Sequence, residues 1–263
     1  MNILDKIVHD KYKEVEARKA LISTKQLEQK IIFDRQTISL TQRIRSDRTG
    51  IIAEFKRRSP SKSVINEHAY VHNVAEGFEK AGVSGMSVLT DFTYFGGSLE
   101  DLLVARNTCK LPLLRKEFVI DEYQIIEAKS WGADVILLIA AVLSKEEIKK
   151  FSELAQSLNL EVLLEVHNLE ELHRSIMPSL NMIGVNNRNL KSFEVDLNTS
   201  KMLSHEIPKD FIKVSESGIS SIEAIKELKK YDYQGFLIGE NFMKTNNPGG
   251  SAAQFIIDLN HEV

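Results

Sequence analysis

Residues 132–144 read GADVILLIAAVLS, and the apolar run VILLI at 135–139 is the part of the sequence that decides the fold. A strand that is apolar at every position is buried on both faces, as in a parallel sheet covered by helices. The run is far shorter than the roughly 18 residues that a membrane-spanning helix requires. It therefore predicts a buried strand of an α/β protein.

Similar apolar runs recur after Gly50, and each is followed by an amphipathic stretch with helical spacing. The predicted strands are 51–55, 85–89, 113–115, 135–139, 161–166, 182–185, 211–214 and 235–238. The predicted helices between and after them are 71–81, 99–107, 122–131, 145–158, 169–176, 197–203, 221–230 and 251–259. Strands that alternate with helices indicate parallel βαβ units.

Eight such units favour a (β/α)8 TIM barrel, whose usual size of about 250 residues fits this chain. An open doubly wound sheet is the alternative, and the lack of a G-x-G-x-x-G motif after the first strand disfavours it. We expect residues 1–263 to form a single barrel domain. Apolar residues at helical spacing predict that residues 1–45 are an N-terminal helical extension that covers the barrel mouth.

Composition narrows the class of protein. The chain is 43% hydrophobic and 27% charged, as in a soluble globular protein with a large core. Its net charge of -3 is spread along the sequence without a basic block, so we expect no nucleic-acid partner. The single cysteine, Cys109, and the absence of a signal-peptide core predict a cytoplasmic protein with no membrane partner.

Charged and amide side chains follow several predicted strands at the point where each strand ends. They are Glu54 and Lys56, Lys116 and Glu117, Glu165, and Asn186 and Arg188. A TIM barrel has its active site at these strand ends, and alternate residues share a face. Any strand end that meets water is polar, but convergence from four strands favours a catalytic mouth.

A second signal lies in VSESGI (214–219) and LIGENF (237–242), where apolar strands run into glycines. Glycine lets a backbone approach a ligand, and the last two loops of a TIM barrel often bind phosphate. Ser220 and Glu223 also resemble a capping box for the following helix. A metal site is not expected, because His68 and His72 have helical spacing but no third ligand nearby.

Several successive motifs resemble those of the indole-3-glycerol phosphate synthase family, in the family's order. They are IIAEFKRRSPSKS (51–63), SVLTDFTYFGGSLEDL (87–102), PLLRKEFVIDEYQI (112–125), GADVILLIAAVLS (132–144), LLEVHNLEEL (163–172), IGVNNRNLKSFEVDL (183–197), VSESGI (214–219) and FLIGENFM (236–243). The resemblance implies a carbon–carbon lyase of tryptophan biosynthesis that needs no cofactor or metal. Such enzymes convert 1-(o-carboxyphenylamino)-1-deoxyribulose 5-phosphate into indole-3-glycerol phosphate, carbon dioxide and water.

The resemblance also implies roles for individual residues. Lys116 matches the general acid, and Glu165 the general base or proton shuttle. Lys56 matches a lysine that contacts the anionic substrate, and Glu54 a carboxylate that holds the ammonium groups. Asn186 matches an amide that orients substrate and catalytic groups.

Further residues match substrate contacts of the family. Those around the substrate are Ser59 in the first loop, Phe95, Phe118 and Leu190 around the anthranilate ring, and Arg188 as a nearby cation. Those in the phosphate-binding turns are Ser217, Gly218, Gly239 and Glu240, the last through its backbone amide. Ser63 stands where the family often has glycine, which predicts a stiffer or differently shaped first loop.

Two alternative functions stay open. Another phosphosugar barrel, such as phosphoribosylanthranilate isomerase, shares the phosphate turns but uses a cysteine–aspartate pair that this chain lacks after its first strand. A phosphosugar-binding barrel without activity would not need Lys56 and Lys116 flanked by carboxylates. The expected ligand is a small phosphosugar, and weak contacts with other tryptophan-pathway enzymes are a further partner hypothesis.

Overall fold

The computed structural model describes residues 3–190 and 192–262. The predicted domain bounds, 1 and 263, therefore lie outside the described residues. Lys191 also lies outside them.

Within the described residues, eight parallel strands close into a barrel. They are β1 (Ile51–Phe55), β2 (Gly85–Leu89), β3 (Leu113–Lys116), β4 (Val135–Ile139), β5 (Glu161–Val166), β6 (Met182–Asn186), β7 (Ile212–Glu216) and β8 (Gly235–Ile238). Each strand pairs with its sequence neighbour, and β8 pairs with β1. The predicted (β/α)8 barrel is confirmed, and the open-sheet alternative is wrong.

Helices alternate with these strands and precede the first one. They are α1 (Ile3–Leu21), α2 (Thr24–Glu28), α3 (Leu40–Ser46), α4 (Val71–Ala81), α5 (Phe92–Phe95), α6 (Leu99–Thr108), α7 (Glu122–Ser130), α8 (Lys145–Ser157), α9 (Leu169–Ser175), α10 (Asn198–Ser204), α11 (Ile222–Lys229), α12 (Glu240–Met243) and α13 (Pro248–Glu262). A 3₁₀ turn, Ile31–Asp34, lies between α2 and α3.

The helix bounds differ from the predictions in two ways. The short helices α5 and α12 were not predicted, because four residues are too few to show a period. The last helix runs from Pro248 to Glu262 rather than from 251 to 259, and its first turn contains two glycines, which have low helix propensity. Gly249 packs against α4: a Cβ on Gly249 would lie 2.6 Å from the Cα of Gly77. Close helix packing therefore explains this glycine.

Alternation along each strand divides the hydrophobic core into two layers. One layer fills the barrel and includes Ile52, Leu114, Leu137, Leu163 and Val214. The other lies between the strands and the surrounding helices. All five residues of β4 are buried, as the VILLI run predicted.

The segment before β1 contacts both ends of the barrel. Arg18 of α1 forms an ion pair with Glu127 of α7. At the amino-terminal end of β5, Glu161 accepts hydrogen bonds from the backbone N–H groups of Leu40 (2.9 Å) and Thr41 (3.0 Å) in α3. Leu40 also packs into the interior layer. α3 therefore closes the end of the barrel at which the strands begin.

Candidate active site

The carboxyl ends of the strands form a cleft that contains every residue predicted for the site. The lining includes the predicted catalytic residues Glu54, Lys56, Lys116, Glu165 and Asn186; the predicted substrate contacts Ser59, Phe95, Phe118, Arg188 and Leu190; and the predicted phosphate turns Ser217, Gly218, Gly239 and Glu240. Their roles stay predictions, because a shared cleft does not assign chemistry.

Lys116 lies at the centre of a cluster of carboxylates. Its Nζ is 3.1 Å from Oε2 of Glu165 and also donates a hydrogen bond to Oε2 of Glu216. Burial by itself would lower the pKa of Lys116, but Glu216, Glu165 and Glu54 together raise it well above its usual value. The side chain is therefore an ammonium ion at physiological pH.

Glu216 is a site residue that the sequence reasoning missed. The predicted strand ended at 214, and VSESGI was treated only as a phosphate turn. The signal was available, because Glu216 lies two residues after Val214 and so shares its inward face. Burial and the neighbouring carboxylates Glu165 and Glu54 raise the pKa of Glu216 to about 7, although Lys116 acts in the opposite direction.

Glycines on neighbouring strands make room for two of the carboxylates. A Cβ on Gly184 of β6 would collide with the Glu216 carboxylate, and a Cβ on Gly239 would collide with that of Glu54. These glycines are required by close approach. Packing against Glu54 thus favours glycine at position 239, in addition to the predicted role of Gly239 in a phosphate turn.

Glu165 is held by groups from three strand ends. Asn186 Nδ2 donates to its Oε1 at 3.1 Å, and Lys116 contacts Oε2. His167 Nε2, from the residue just after β5, is 3.3 Å from Oε1. Burial would raise the pKa of Glu165, but Lys116, His167 and Asn186 hold it well below its usual range.

The first strand contributes a second ion pair to the cleft. Lys56 Nζ is 2.5 Å from Oε1 of Glu54. The loop that follows reaches across the mouth, where Lys62 Nζ lies 2.9 Å from Oε1 of Glu240. The Glu240 carboxylate thus forms an ion pair with Lys62.

Apolar side chains form one wall of the cleft. The ring centroids of Phe95 and Phe118 are 6.0 Å apart. Ile3, Leu4 and Ile7 of α1 also line the cleft, although the sequence reasoning named none of them as site residues. Their helical spacing marked an apolar face of the segment predicted to cover the mouth, without identifying these residues as cleft lining.

The predicted phosphate turn after β7 has an unusual backbone conformation. Ser217 and Gly218 adopt φ values of 67° and 78°, in the left-handed region that few residues other than glycine enter. The helix after them is capped by Ser221, whose side chain accepts from the N–H of Ala224 at 3.3 Å. The prediction that Ser220 caps this helix is therefore wrong, because the cap is the next residue, Ser221.

Two other features bear on ligands and location. His72 Nδ1 lies 3.0 Å from Oγ1 of Thr108. Within residues 3–190 and 192–262, no group of three or more His, Cys, Asp or Glu residues could hold a metal ion. In the same part of the chain, no helix is both long and apolar enough to cross a bilayer.

The family model for indole-3-glycerol phosphate synthase matches residues 4–255. This chain belongs to the indole-3-glycerol phosphate synthase family. The resemblance expected from the motifs is confirmed.

Curated indole-3-glycerol phosphate synthases are similar over nearly their whole length. One from Bacteroides thetaiotaomicron is 46% identical and covers 97% of this chain and 98% of its own. One from Acinetobacter baylyi is 42% identical, with 94% of this chain and 92% of its own covered. The isomerase alternative is therefore dropped.

Solved structures with low identity share the fold. A tryptophan synthase complex from Pyrococcus furiosus aligns with a TM-score of 0.60 at 14% identity, covering 81% of this chain and 98% of the matched chain. KGPDC from Streptococcus mutans aligns with a TM-score of 0.60 at 15% identity, covering 81% and 97%. These proteins share the barrel fold of this chain although their names differ from that of its family.

Proposed function

We propose that the cleft converts 1-(o-carboxyphenylamino)-1-deoxyribulose 5-phosphate into indole-3-glycerol phosphate, carbon dioxide and water, with Lys116 as general acid and Glu165 as general base. The observation that carries this assignment is the position of the Lys116 ammonium between the carboxylates of Glu165 and Glu216. The general acid and the general base thus lie side by side at the bottom of one cleft.

Ring closure needs an acid. When the aromatic ring carbon attacks the ketone carbon, the electron pair of the C=O bond moves to oxygen. The Lys116 ammonium donates a proton to that oxygen, which becomes a hydroxyl group. Loss of the ring carboxylate as carbon dioxide then restores aromaticity.

Dehydration needs a base, and the geometry suggests when Glu165 becomes one. While Lys116 is charged, the pKa of Glu165 is held low, so this carboxylate is a weak base. Once Lys116 has given up its proton, the cation beside Glu165 is gone and the pKa rises. Glu165 then accepts the proton lost from the condensed intermediate and delivers a proton to the hydroxyl group, which leaves as water.

Glu216 extends this assignment. With a pKa of about 7, its carboxyl group gains and loses a proton near neutral pH. It also touches Lys116 directly. We therefore assign to Glu216 the return of a proton to Lys116 between turnovers.

The other predicted residues bind and orient the substrate. The phosphate lies against the turns of Ser217, Gly218, Gly239 and Glu240, and the anthranilate ring against Phe95, Phe118 and Leu190. Lys56 and Arg188 contact the anionic groups, Asn186 orients Glu165, Glu54 holds Lys56, and Ser59 contacts substrate from the first loop. A phosphosugar substrate fits a cleft whose lining includes both cations and aromatic rings.

Three broader predictions belong to the same proposal. In the described part of the predicted extension 1–45, which belongs to a single barrel domain in this proposal, α1 covers the mouth, as the position of Ile3 and Ile7 in the cleft supports, whereas α3 lies at the opposite end of the barrel. A cytoplasmic location fits the lone cysteine. Weak contacts with other tryptophan-pathway enzymes rest only on the family's place in that pathway.

A turnover assay tests the function. The purified chain, incubated with the carboxyphenylamino sugar phosphate without added metal or cofactor, should form a fluorescent indole product. Binding of that substrate by calorimetry without product formation would favour the phosphosugar-binding barrel without activity.

A further inference from the structure

His167 lies directly behind Glu165 and outside the cleft. Its Nε2 is 3.3 Å from Oε1 of Glu165, and its Nδ1 is 3.1 Å from Oε2 of Glu171 in α9. The His167 side chain is only 10% exposed, and it is not part of the cleft lining. Any influence of His167 on the reaction therefore passes through Glu165.

The two carboxylates determine the protonation of the ring. A carboxylate only accepts hydrogen bonds, so Nδ1 carries a hydrogen toward Glu171. His167 Nε2 is buried without a hydrogen-bond partner and lies within ion-pair distance of Glu165 Oε1, so a neutral ring would leave its lone pair close to a carboxylate. Only the imidazolium form suits both sides. Burial would lower the pKa of His167, but Glu165 and Glu171 raise it to about 10.

Glu171 is itself fixed by neighbouring groups. Its Oε2 also accepts from the backbone N–H of His167 at 2.8 Å. Its Oε1 accepts from Asn168 Nδ2 at 2.8 Å, and its own N–H donates to Asn168 Oδ1 at 2.9 Å. The start of α9 thus holds Glu171, and Glu171 holds the ring.

We propose that His167, kept as an imidazolium ion by Glu171, is a positioning residue that orients Oε1 of Glu165 and keeps this carboxylate ionised. The charges of the cleft support this proposal. Glu54, Glu165 and Glu216 face only two lysines, Lys56 and Lys116, in the central cluster. A cation behind Glu165 offsets the excess negative charge without occupying space that the substrate needs.

The inference rests on the proposed role of Glu165 as base, and two variants test it. His167→Gln keeps an N–H donor but removes the charge. A nearby cation lowers a carboxyl pKa by roughly 1–3 units, so its removal should raise the pKa of Glu165. The acid limb of the kcat profile should therefore move up by about one pH unit. At neutral pH, where Glu165 stays ionised, the loss of the contact that orients Oε1 should lower kcat by about tenfold, while KM changes less than about twofold because His167 does not line the cleft.

Glu171→Gln is the second variant, and it lies farther from the cleft. Its amide oxygen can still accept from Nδ1, but the pKa of His167 falls without the charge. The decline of kcat on the alkaline side should therefore begin at lower pH than in the unmodified chain. Glu170→Gln, at the exposed neighbouring position in α9, is the matched control and should leave the profile unchanged.

Nitrogen NMR of His167 gives a readout that is independent of turnover. We expect both ring nitrogens to stay protonated at pH 8, and the ring to titrate at lower pH in Glu171→Gln. A neutral ring at pH 7, a pH profile in His167→Gln that is only scaled, or unchanged kcat in both variants would overturn the inference. Failure of the unmodified chain to turn over substrate would instead overturn the proposed function.

Discussion

Lys116 Nζ lies 3.1 Å from Oε2 of Glu165, so the end of β3 is joined to the end of β5 across the barrel mouth. β4 separates these strands in the sheet, and its end carries Ile139 rather than a charge. The pair meets because both side chains point into the barrel from strands that are separated by only one other. The ion pair is therefore a product of the whole fold rather than of any single loop.

The first prediction concerns Lys116. Lys116→Gln should lower kcat by about 10²–10⁴-fold, because general acid catalysis contributes about that much. Substrate affinity, measured by calorimetry, should change much less. Lys209→Gln, at an exposed position away from the cleft, is the control. Turnover close to that of the unmodified chain would refute the role of Lys116.

The second prediction concerns the pH dependence of stability through Glu216. Its pKa of about 7 lies above the ordinary value of 4.5, so the folded protein binds more protons than the unfolded chain between those values. Its contribution to stability is therefore present below pH 4.5 and is lost as the pH rises through 7.

Glu216→Gln removes this titration while keeping a side chain of the same shape. The free energy of unfolding of the variant, relative to that of the unmodified chain, should rise by up to about 3 kcal/mol between pH 4.5 and pH 8. Urea denaturation at several pH values measures the difference. A difference that does not vary with pH would contradict the raised pKa.

The third prediction concerns Lys11, which ties α1 to the barrel. Its Nζ lies 2.7 Å from Glu14, 2.9 Å from Asp91 and 3.0 Å from Glu117, and only 2% of its side chain is exposed. Burial would lower the pKa of Lys11, but these carboxylates raise it. Lys11→Met removes the buried ammonium beside Asp91 and Glu117, and breaking a buried ion pair typically costs about 3–5 kcal/mol, although Glu117 keeps its contact with Arg115.

The loss should appear in both stability and binding. The midpoint of urea unfolding should fall, and KM should rise because α1 carries Ile3 and Ile7 into the cleft. Lys13→Met, at an exposed position of the same helix, should leave both values unchanged. An unaltered KM in Lys11→Met would count against a role of the N-terminal segment in covering the mouth.

The sequence predicted strands well because burial on both faces makes each strand a continuous apolar run. It predicted the cleft residues because polar side chains at strand ends must meet in a closed barrel. It could not distinguish Glu117 from its neighbour Lys116, since both end β3. In the structure Glu117 contacts Lys11 of α1, a partner more than one hundred positions away, which no local pattern reveals.

The last prediction concerns Asn187, a buried neighbour of the site residue Asn186. Its Nδ2 donates to the backbone oxygens of Glu216 (2.9 Å) and Ser217 (3.2 Å), and its Oδ1 accepts from Ser200. The amide thus holds the point where β7 becomes the phosphate turn. Ser217 has a positive φ there, a conformation that needs support from surrounding groups.

Asn187→Ala should remove the side-chain donor from both carbonyl groups, although the backbone N–H of residue 187 still reaches the Glu216 carbonyl, and the turn should loosen with a stability loss of about 1–3 kcal/mol. If the turn binds the substrate phosphate, KM should rise more than kcat falls, and inhibition by inorganic phosphate should weaken in parallel.

Asn189, in the same loop but partly exposed, is less suitable as a control because it has interactions of its own. Asn246→Ala, at an exposed position after α12, is a better comparison. A fall in kcat with unchanged phosphate inhibition would place the phosphate elsewhere, since Asn187 would then act on Glu216 alone.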